Sequence, residues 1–279
     1  MPDPTPSPSL PPARRVAGAG GPALRDLLAG PPATGTVLHA GRQAVYVRLG
    51  ERVIGVVARG AVHVPSAIAT TLEALPALAV GDSVPVGAGV VRLGDLAVGV
   101  DRIVATRAVP LPDPAAAAAR LARAEPDLNV VRRQLPETAL SALAAGDPAA
   151  VGALVGRGDG LTPVGDDVLS GWLVTTRAAG GDPAPVAAAV RAHAHRTTAL
   201  SATLLADATE GAAIPPFRAL LLALGAGQGV AATVADLRAV GHTSGAGMLL
   251  GALLALHRFV PSSPSIPSSP ATALEGSPR

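Results

Sequence analysis

The chain of 279 residues is about twice as long as the typical domain of ~150 residues, so one large domain or two small ones are expected. Hydrophobic residues make up 49% of it, which is enough for a sizeable core. The aromatic residues are only Tyr46, Trp172, Phe217 and Phe259. Because bases stack on aromatic side chains, so few of them argue against a nucleic-acid-binding surface.

Charge and composition exclude several chemistries. All 22 Lys and Arg positions are arginine, which excludes Schiff-base and P-loop lysine mechanisms. The sequence has no cysteine, which excludes disulfides, thiolate nucleophiles and cysteine-ligated metals. No dinucleotide-binding glycine motif follows a strand, so neither a nucleotide nor a haem cofactor is indicated. The pI is about 10.2, yet the formal charge is only +2, so no nucleic-acid partner is expected.

Hydropathy gives no reason to expect a membrane protein. The mean hydropathy is +0.42, but the longest apolar runs, at 219–224 and 248–256, are much shorter than the ~20 residues that span a bilayer. The first fifteen residues, MPDPTPSPSLPPARR, contain no apolar stretch of the kind found in signal peptides. A cytoplasmic protein without membrane contact is therefore expected.

The first part of the chain predicts a small β-rich domain between residues 15 and 110, either a β-sandwich or barrel-like. Short β-branched runs alternate there with glycine-containing turns at intervals of ~8–12 residues. A helix is expected over 66–75. The Pro/Ser-rich ends, 1–14 and 261–279, predict disordered tails. The predicted strands are 35–38, 44–49, 53–58, 84–86, 90–93, 96–100 and 103–106.

Residues 111–260 predict a mainly α-helical domain, which makes the chain α+β. Asp-Pro pairs at 113, 147 and 182 each predict a helix start, since aspartate caps a free N–H and proline lacks one. Glycines expected just beyond helix ends are Gly146, Gly156, Gly180 and Gly225. The predicted helices are 114–124, 137–145, 148–155, 166–179, 183–208, 215–224, 230–240 and 244–259.

The stretch GRGDGLTPVGDDVLSG at 156–171 is the richest in candidate chemistry. Its glycines allow backbone N–H groups to approach a ligand, and the loop enters a helix, so an anion-binding site is predicted. Arg157 would add a bidentate hydrogen-bond donor for phosphate or carboxylate. The candidate binding residues here are Arg157, Gly158, Gly160, Thr162 and Gly165.

Two adjacent acids, Asp166 and Asp167, stand at the expected start of that helix. One of them is expected to cap the helix, which leaves the other free. The free carboxylate can hold Mg²⁺, orient a substrate amine or pair with an arginine. Both are therefore candidate catalytic residues and candidate magnesium ligands.

A second glycine-rich turn, GHTSGAG at 241–247, opens another predicted helix. Thr243 or Ser244 is expected to cap it, while the other hydroxyl and free N–H groups such as that of Gly245 bind ligand oxygens. His242 is a candidate acid or base, because histidine titrates near neutral pH.

Hydroxyl groups on the predicted long helix 183–208 form a third candidate group. On one continuous helix His193, Thr197 and Ser201 would share a face, and Thr198 adds a further hydroxyl. Polar groups on a buried face need partners, which can be a ligand or other protein groups.

Each of these stretches also has a purely structural interpretation. The glycines of 156–171 can simply shape a turn, with one aspartate capping the helix and the other in solvent. Gly247 and Gly251 are four residues apart and can allow two helices to pack closely. The hydroxyls of the third group can form an internal hydrogen-bond network.

In order and spacing, three segments resemble the AllH-like family, whose named members are a subunit of oxamate carbamoyltransferase. They are GRGDGLTPVGDDVLSG at 156–171, TTALSATLL at 197–205 and GHTSGAGMLLG at 241–251, and the resemblance extends over about 34–259. It implies a role in allantoin breakdown, where oxalurate and phosphate exchange with oxamate and carbamoyl phosphate. It also implies partner subunits similar to FdrA and acyl-CoA synthetase-like proteins.

Three hypotheses follow from the sequence. The first is an AllH-like subunit of a carbamoyltransferase complex whose small anionic substrate is carbamoyl phosphate, phosphate or oxamate. The second is a non-catalytic binding or assembly subunit for an FdrA-like partner. The third is a stand-alone Mg²⁺-dependent enzyme that acts on a small carboxylate or acyl phosphate. The Ser-Thr-Arg-Thr and His-Pro-x-Gln motifs of ordinary transcarbamylases are absent from the sequence, so carbamoyl transfer would use an unrelated site.

Overall fold

A computed structural model describes residues 13–260, and over this range the fold is α+β with a closed eight-stranded barrel and eleven helices. The expected α+β class with a barrel is thereby confirmed. The tails predicted at the two ends lie outside the described residues, apart from 13 and 14. Arg14 was assigned to the N-terminal tail, but it is the first residue of a strand.

The barrel follows the strand order β1-β5-β4-β3-β2-β6-β7-β8 and closes where β1 pairs in parallel with β8. Its interior is filled by β-branched and leucine side chains from all sides, as expected for a barrel of this size. The strands are β1 (Arg14–Gly20), β2 (Ala33–Ala40), β3 (Ala44–Leu49), β4 (Arg52–Val57), β5 (Ala67–Ala69), β6 (Ser83–Gly87), β7 (Val90–Leu93) and β8 (Leu96–Ile103).

Three features of the barrel differ from the sequence prediction. The helix expected over 66–75 is wrong: this segment contributes the short strand β5, which pairs in parallel with β4 and buries Ile68 completely. The strand expected at 96–100 extends to Ile103 as β8, and the separate strand expected at 103–106 is wrong, because only its first residue lies in a strand. Neither β1 nor the helix α1 (Pro22–Leu28) was predicted. The run RRVAGAG of β1 has small residues because Ile68 fills the space beside Gly18, where a Cβ would lie 2.2 Å from Ile68 Cγ2.

Ten helices follow the barrel, and none of the helices in the described residues is long and apolar enough to cross a bilayer. They are α2 (Pro114–Arg123), α3 (Asn129–Arg132), α4 (Glu137–Ala145), α5 (Val151–Leu154), α6 (Val164–Ala178), α7 (Ala184–His193), α8 (Ala199–Thr209), α9 (Pro215–Ala226), α10 (Val230–Arg238) and α11 (Ser244–His257). The predicted caps at Asp113 and Asp147 are confirmed: Asp113 accepts the Ala116 N–H at 2.9 Å at the start of α2, and Asp147 accepts the Ala149 N–H at 2.8 Å at a 3₁₀ turn before α5. Asp182 accepts the Ala184 N–H at 2.9 Å, but the residue at the cap position of α7 is Pro183, so the predicted cap lies one residue too early.

Two other details of the helix prediction are wrong. Gly225 lies inside α9, and the left-handed residue that ends this helix is Gly227, with φ of 75°. The helix predicted over 183–208 is broken into α7 and α8 by a 3₁₀ turn. Thr198 causes the break, because its hydroxyl accepts the Ser201 N–H at 3.0 Å and so caps a new helix. His193 therefore does not share a helix face with the hydroxyl groups of α8, and its Nδ1 lies 2.9 Å from the carbonyl oxygen of Ala189.

Helices α6 and α11 are in almost direct backbone contact. A Cβ at Gly251 would lie 2.1 Å from Val168 O, and a Cβ at Gly171 would lie 2.2 Å from Met248 O. A Cβ at Gly247 would come within 2.9 Å of Asp167 Cβ. The packing interpretation of Gly247 and Gly251 is thus supported, and this contact holds the start of α11 against the first turn of α6.

The barrel meets the helices along β4 and α8. The backbone N–H of Val53 donates to Thr203 Oγ1 at 2.9 Å. One residue earlier, Arg52 Nη2 lies 2.7 Å from Asp207 Oδ1. These contacts place the end of the barrel beside the helical part of the chain.

We expect Gly251→Ala to lower the free energy of unfolding by about 3 kcal/mol or more, because the added methyl group would force α6 and α11 apart. Gly225→Ala is the matched control, since its Cβ would have no neighbour nearer than 3.9 Å and alanine favours a helix. Urea denaturation of both variants checks this. Equal stability of the two variants would contradict the close contact.

Candidate functional site

Asp166 is buried and joins three segments of the chain through hydrogen bonds. It lies in the first turn of α6 with 1% of its surface exposed. Its Oδ1 accepts the Gly156 N–H at 2.8 Å, and its Oδ2 accepts the hydroxyls of Ser201, at 2.7 Å, and Thr197. Burial raises the pKa of Asp166, and the three hydrogen bonds act in the opposite direction. Both of its oxygens are thus used to hold the loop before α6 and the start of α8.

Asp167 is also buried, with 3% of its surface exposed, but its Oδ2 has no hydrogen-bond partner. Burial raises the pKa of this carboxyl group to about 8, against a hydrogen bond with Ser244 and with a further contribution from the charge of Asp166. The group is therefore protonated at neutral pH and can act as a proton donor. Neither aspartate caps α6, contrary to the prediction, because the helix begins after Pro163 without a side-chain cap.

A small cavity of about 30 Å³ lies beside Asp167. Its polar lining residues are Thr162, Asp167, Ser170 and Ser201. Its other walls are residues of α6, α8, α9 and α11, the loop between α8 and α9, and Pro65 of the barrel part. The volume is enough for about two water molecules, so only a small chemical group can enter it. Thr162 Oγ1 and Ser244 Oγ lie 3.0 Å apart and join the loop before α6 to the start of α11.

The glycine-rich loop offers fewer N–H groups to an anion than the sequence predicts. The N–H of Gly165 donates to Arg157 O at 2.9 Å, and those of Asp166 and Asp167 donate to Pro163 O at 3.0 and 3.2 Å. Gly165 is required by packing, since a Cβ there would lie 2.0 Å from Leu154 O. The N–H groups of 158–162 have no partner among the described residues, so this exposed part of the loop remains available to an anion.

Glycines give this exposed part of the loop its shape. Gly158 and Gly160 have φ of 111° and 91°, a backbone region that favours glycine. Such turns can direct successive N–H groups toward one anion. Thr198 steadies the loop, because its hydroxyl donates to Leu161 O at 2.6 Å.

Of the predicted site residues only Thr162, Asp167 and Ser201 line the cavity, and those that do not include Arg157, His242 and Gly245. Arg157 is exposed, and its Nε donates to Gln134 O at 3.0 Å. His242 is exposed and does not line the cavity. Gly245 is buried by packing, since a Cβ there would lie 1.7 Å from Leu237 O.

The start of α11 also differs from the prediction. Neither Thr243 nor Ser244 caps this helix with its side chain. Ser244 instead faces Thr162 and contributes a hydrogen bond to Asp167. The sequence analysis missed Ser170 of the cavity, although its position three residues after Asp167 on one helix was a usable signal.

The predicted magnesium site does not fit this donor set. Both oxygens of Asp166 already accept hydrogen bonds from the protein, and Asp167 is protonated at neutral pH. Within residues 13–260 no group of three or more histidine and acidic side chains is placed to hold a metal ion.

Part of the chain matches the model of a known family. Residues 154–256 match the family model described as "Oxamate carbamoyltransferase subunit AllH". The resemblance seen in the sequence is thus confirmed for this segment, which contains α6, α8 and α11 and both aspartates. No curated protein matches the chain, and no solved structure matches it either.

We expect Asp167→Asn to become more stable relative to the natural protein as the pH rises. The pKa of this carboxyl group rises from 3.8 to about 8 on folding. Between these pH values the unfolded chain is ionised while the folded protein stays protonated, so the free energy of unfolding falls as the pH rises. An amide never ionises and escapes this cost. The difference in Tm between variant and natural protein should be at least about 2 °C larger at pH 8 than at pH 5. A difference that is independent of pH would contradict a buried, protonated Asp167.

Asp166→Ala should lower the free energy of unfolding by about 3 kcal/mol or more. The change removes a carboxylate that accepts three hydrogen bonds and leaves buried donors without partners. Asp159→Ala is the matched control, since Asp159 lies exposed in the same loop. Thermal and urea unfolding of both variants measure the difference, and an unchanged Asp166→Ala protein would disprove the connecting role.

Proposed function

We propose that this chain is a subunit of an oxamate carbamoyltransferase-type complex and that its reaction centre lies at Asp167. The observation that carries the proposal is a buried carboxyl group with one unpartnered oxygen beside a small cavity. Thr162, at the end of the loop with free N–H groups, lines the same cavity, and this loop and Asp167 fall within the segment that matches the family.

The proposed reaction is exchange of a carbamoyl group between nitrogen and phosphate. In the direction of breakdown, a phosphate oxygen attacks the ureido carbonyl carbon of oxalurate. The new C–O bond forms while the C–N bond to the oxamate nitrogen breaks, which gives carbamoyl phosphate and oxamate. The departing nitrogen takes the proton of Asp167, and the carboxylate regains a proton from the attacking hydrogen phosphate. In the reverse direction the same group acts as the base.

The surroundings of Asp167 support this division of roles. The free N–H groups of 158–162 can bind phosphate oxygens without a lysine or a metal ion. The cavity is large enough for a planar group of the size of a carbamoyl group but not for a whole substrate. Ser170 and Ser201 supply hydroxyls that can hold the carbonyl oxygen and the amide of that group.

A complex with other subunits is part of the proposal, because the matching family is described as a subunit. The phosphate-binding loop is open to solvent and carries Leu161 with 44% of its surface exposed. A partner that covers this loop would exclude water from the transfer. An FdrA-like or acyl-CoA synthetase-like protein is the partner we propose. The same exposed loop favours the second hypothesis, a non-catalytic assembly subunit that docks through it.

Ligand-induced stabilisation separates these two functions. We expect phosphate, carbamoyl phosphate and oxamate to raise the Tm of the natural chain, by an amount equivalent to ~2.7 kcal/mol at 100 times the dissociation constant. The shift with carbamoyl phosphate should disappear in Asp167→Asn and Ser170→Ala and persist in the exposed control Asp159→Asn. The absence of any shift, together with co-purification of a partner protein, would support the assembly subunit instead.

A further inference from the structure

The buried carboxyl group of Asp167 needs a path for its proton. In the proposed reaction this group gives a proton to the departing nitrogen and regains one from phosphate. Only 3% of Asp167 is exposed, and the cavity beside it, of about 30 Å³, has no room for phosphate in addition to a carbamoyl group. Phosphate held by the N–H groups of 158–162 therefore stays at the loop, and its proton has to be carried inward.

Two hydroxyl groups connect this loop to Asp167. Thr162 is the last residue of the segment with free N–H groups, and its Oγ1 lies 3.0 Å from Ser244 Oγ at the start of α11. Ser244 in turn has a hydrogen bond with Asp167. This bond lowers the pKa of the carboxyl group, as expected when a hydroxyl donates to a carboxylate. Because a hydroxyl both donates and accepts, all donors can point from Thr162 to Ser244 and on to Asp167.

The hydroxyl at the outer end of this chain lies where phosphate is expected. Thr162 and Ser244 are half-buried, whereas Asp167 is buried. The backbone N–H of Thr162 has no partner among the described residues. One residue can therefore hold a phosphate oxygen with its N–H and accept the proton of the same phosphate with its hydroxyl.

The other polar groups near Asp167 offer no equivalent path. Ser201 Oγ donates to Asp166 Oδ2 at 2.7 Å, so its proton is already engaged. In the part of the chain that the structure describes, no other titratable side chain lines the cavity, and the charge that acts on Asp167 is that of Asp166. The ionisable side chains of the loop and of the turn before α11 are exposed and do not line the cavity; they are Arg157, Asp159 and His242.

We propose that Thr162 and Ser244 form a proton relay between phosphate at the loop and the carboxyl group of Asp167. The proposal rests on the proposed carbamoyl transfer, whose proton route it specifies. After Asp167 has given its proton to the departing nitrogen, its carboxylate takes the proton of Ser244. Ser244 takes that of Thr162, and Thr162 takes that of hydrogen phosphate. Each hydroxyl loses one proton and gains one, so both are unchanged at the end, and every transfer is reversed in the opposite direction.

A purely structural bond between the loop and α11 would use the same two hydroxyls. Its loss would lower stability and weaken phosphate binding, whereas the loss of a relay slows proton transfer and leaves phosphate binding intact. Thr162→Val and Thr162→Ser separate the two roles, because valine has the shape of threonine without the hydroxyl and serine keeps the hydroxyl.

Hydrogen exchange of the Asp167 carboxyl group tests the relay in the full chain without turnover. Infrared difference spectra against Asp167→Asn isolate the C=O stretching band of the protonated carboxyl group, which shifts when deuterium replaces the proton. After mixing into D₂O, this shift should be about tenfold slower or more in Ser244→Ala and Thr162→Val, and Thr162→Ser should restore the natural rate. Thr233→Val is the matched control, since the Thr233 hydroxyl donates to carbonyl oxygens at the start of α10 and does not line the cavity.

Turnover by the complex tests the same relay in the reaction. Ser244→Ala and Thr162→Val should lower kcat about tenfold or more and leave the KM for phosphate unchanged, because the N–H groups of the loop still hold the anion. Thr162→Ser should recover most of kcat.

Exchange that is unchanged or faster in Ser244→Ala and Thr162→Val would overturn the relay, even where the complex transfers a carbamoyl group. If Ser244→Ala does not fold, Thr162→Val alone decides. A raised KM for phosphate with unchanged kcat would also overturn it, since this is the result of a structural bond. A complex without carbamoyl transfer would contradict the proposed function, and the exchange rates would still show whether Thr162 and Ser244 carry the proton of Asp167.

Discussion

The close contact of α6 with α11 is the constraint on which the candidate site depends. Gly171, Gly247 and Gly251 allow the two backbones to approach so closely that a side chain at any of these positions would collide with the other helix. Since Asp167 stands directly opposite Gly247, the contact removes this carboxyl group from water. The raised pKa of Asp167 is thus a consequence of backbone packing, because the close approach of α11 buries the carboxyl group and burial disfavours its charged form.

Helical geometry explains why two adjacent aspartates have different roles. Neighbouring residues on an α-helix point about 100° apart, so they cannot share one set of partners. Asp166 faces Gly156 and the start of α8, where three donors meet it. Asp167 faces α11, where it has a hydrogen bond with Ser244 and one oxygen without a partner. Asp166 therefore holds the loop before α6 and the start of α8 in place, whereas Asp167 keeps one oxygen without a partner.

Local signals in the sequence predicted much of the fold, whereas long-range contacts decided the rest. The aspartate caps at 113 and 147 and most strands follow from residue types that act on their own neighbours. The helix expected over 183–208 was wrong because capping by Thr198 competes with an otherwise helical composition. The glycine-rich stretches indicated the region of the candidate site. Asp166 is distinguished from Asp167 only by its hydrogen bonds with Thr197 and Ser201, which are distant in the sequence. No sequence pattern could link Arg52 to Asp207.

The barrel and the helices both contribute walls to the cavities around the candidate site. The segment that matches the family, 154–256, contains both aspartates of the candidate site and Asp207. The walls that complete two neighbouring cavities come from the barrel, through Arg52 and Ser66, and from Pro65, which borders these two and the cavity of Asp167. The barrel therefore shapes the surroundings of the candidate site, because Arg52 of β4 and the two residues before β5, Pro65 and Ser66, border the same space as Asp207 of α8.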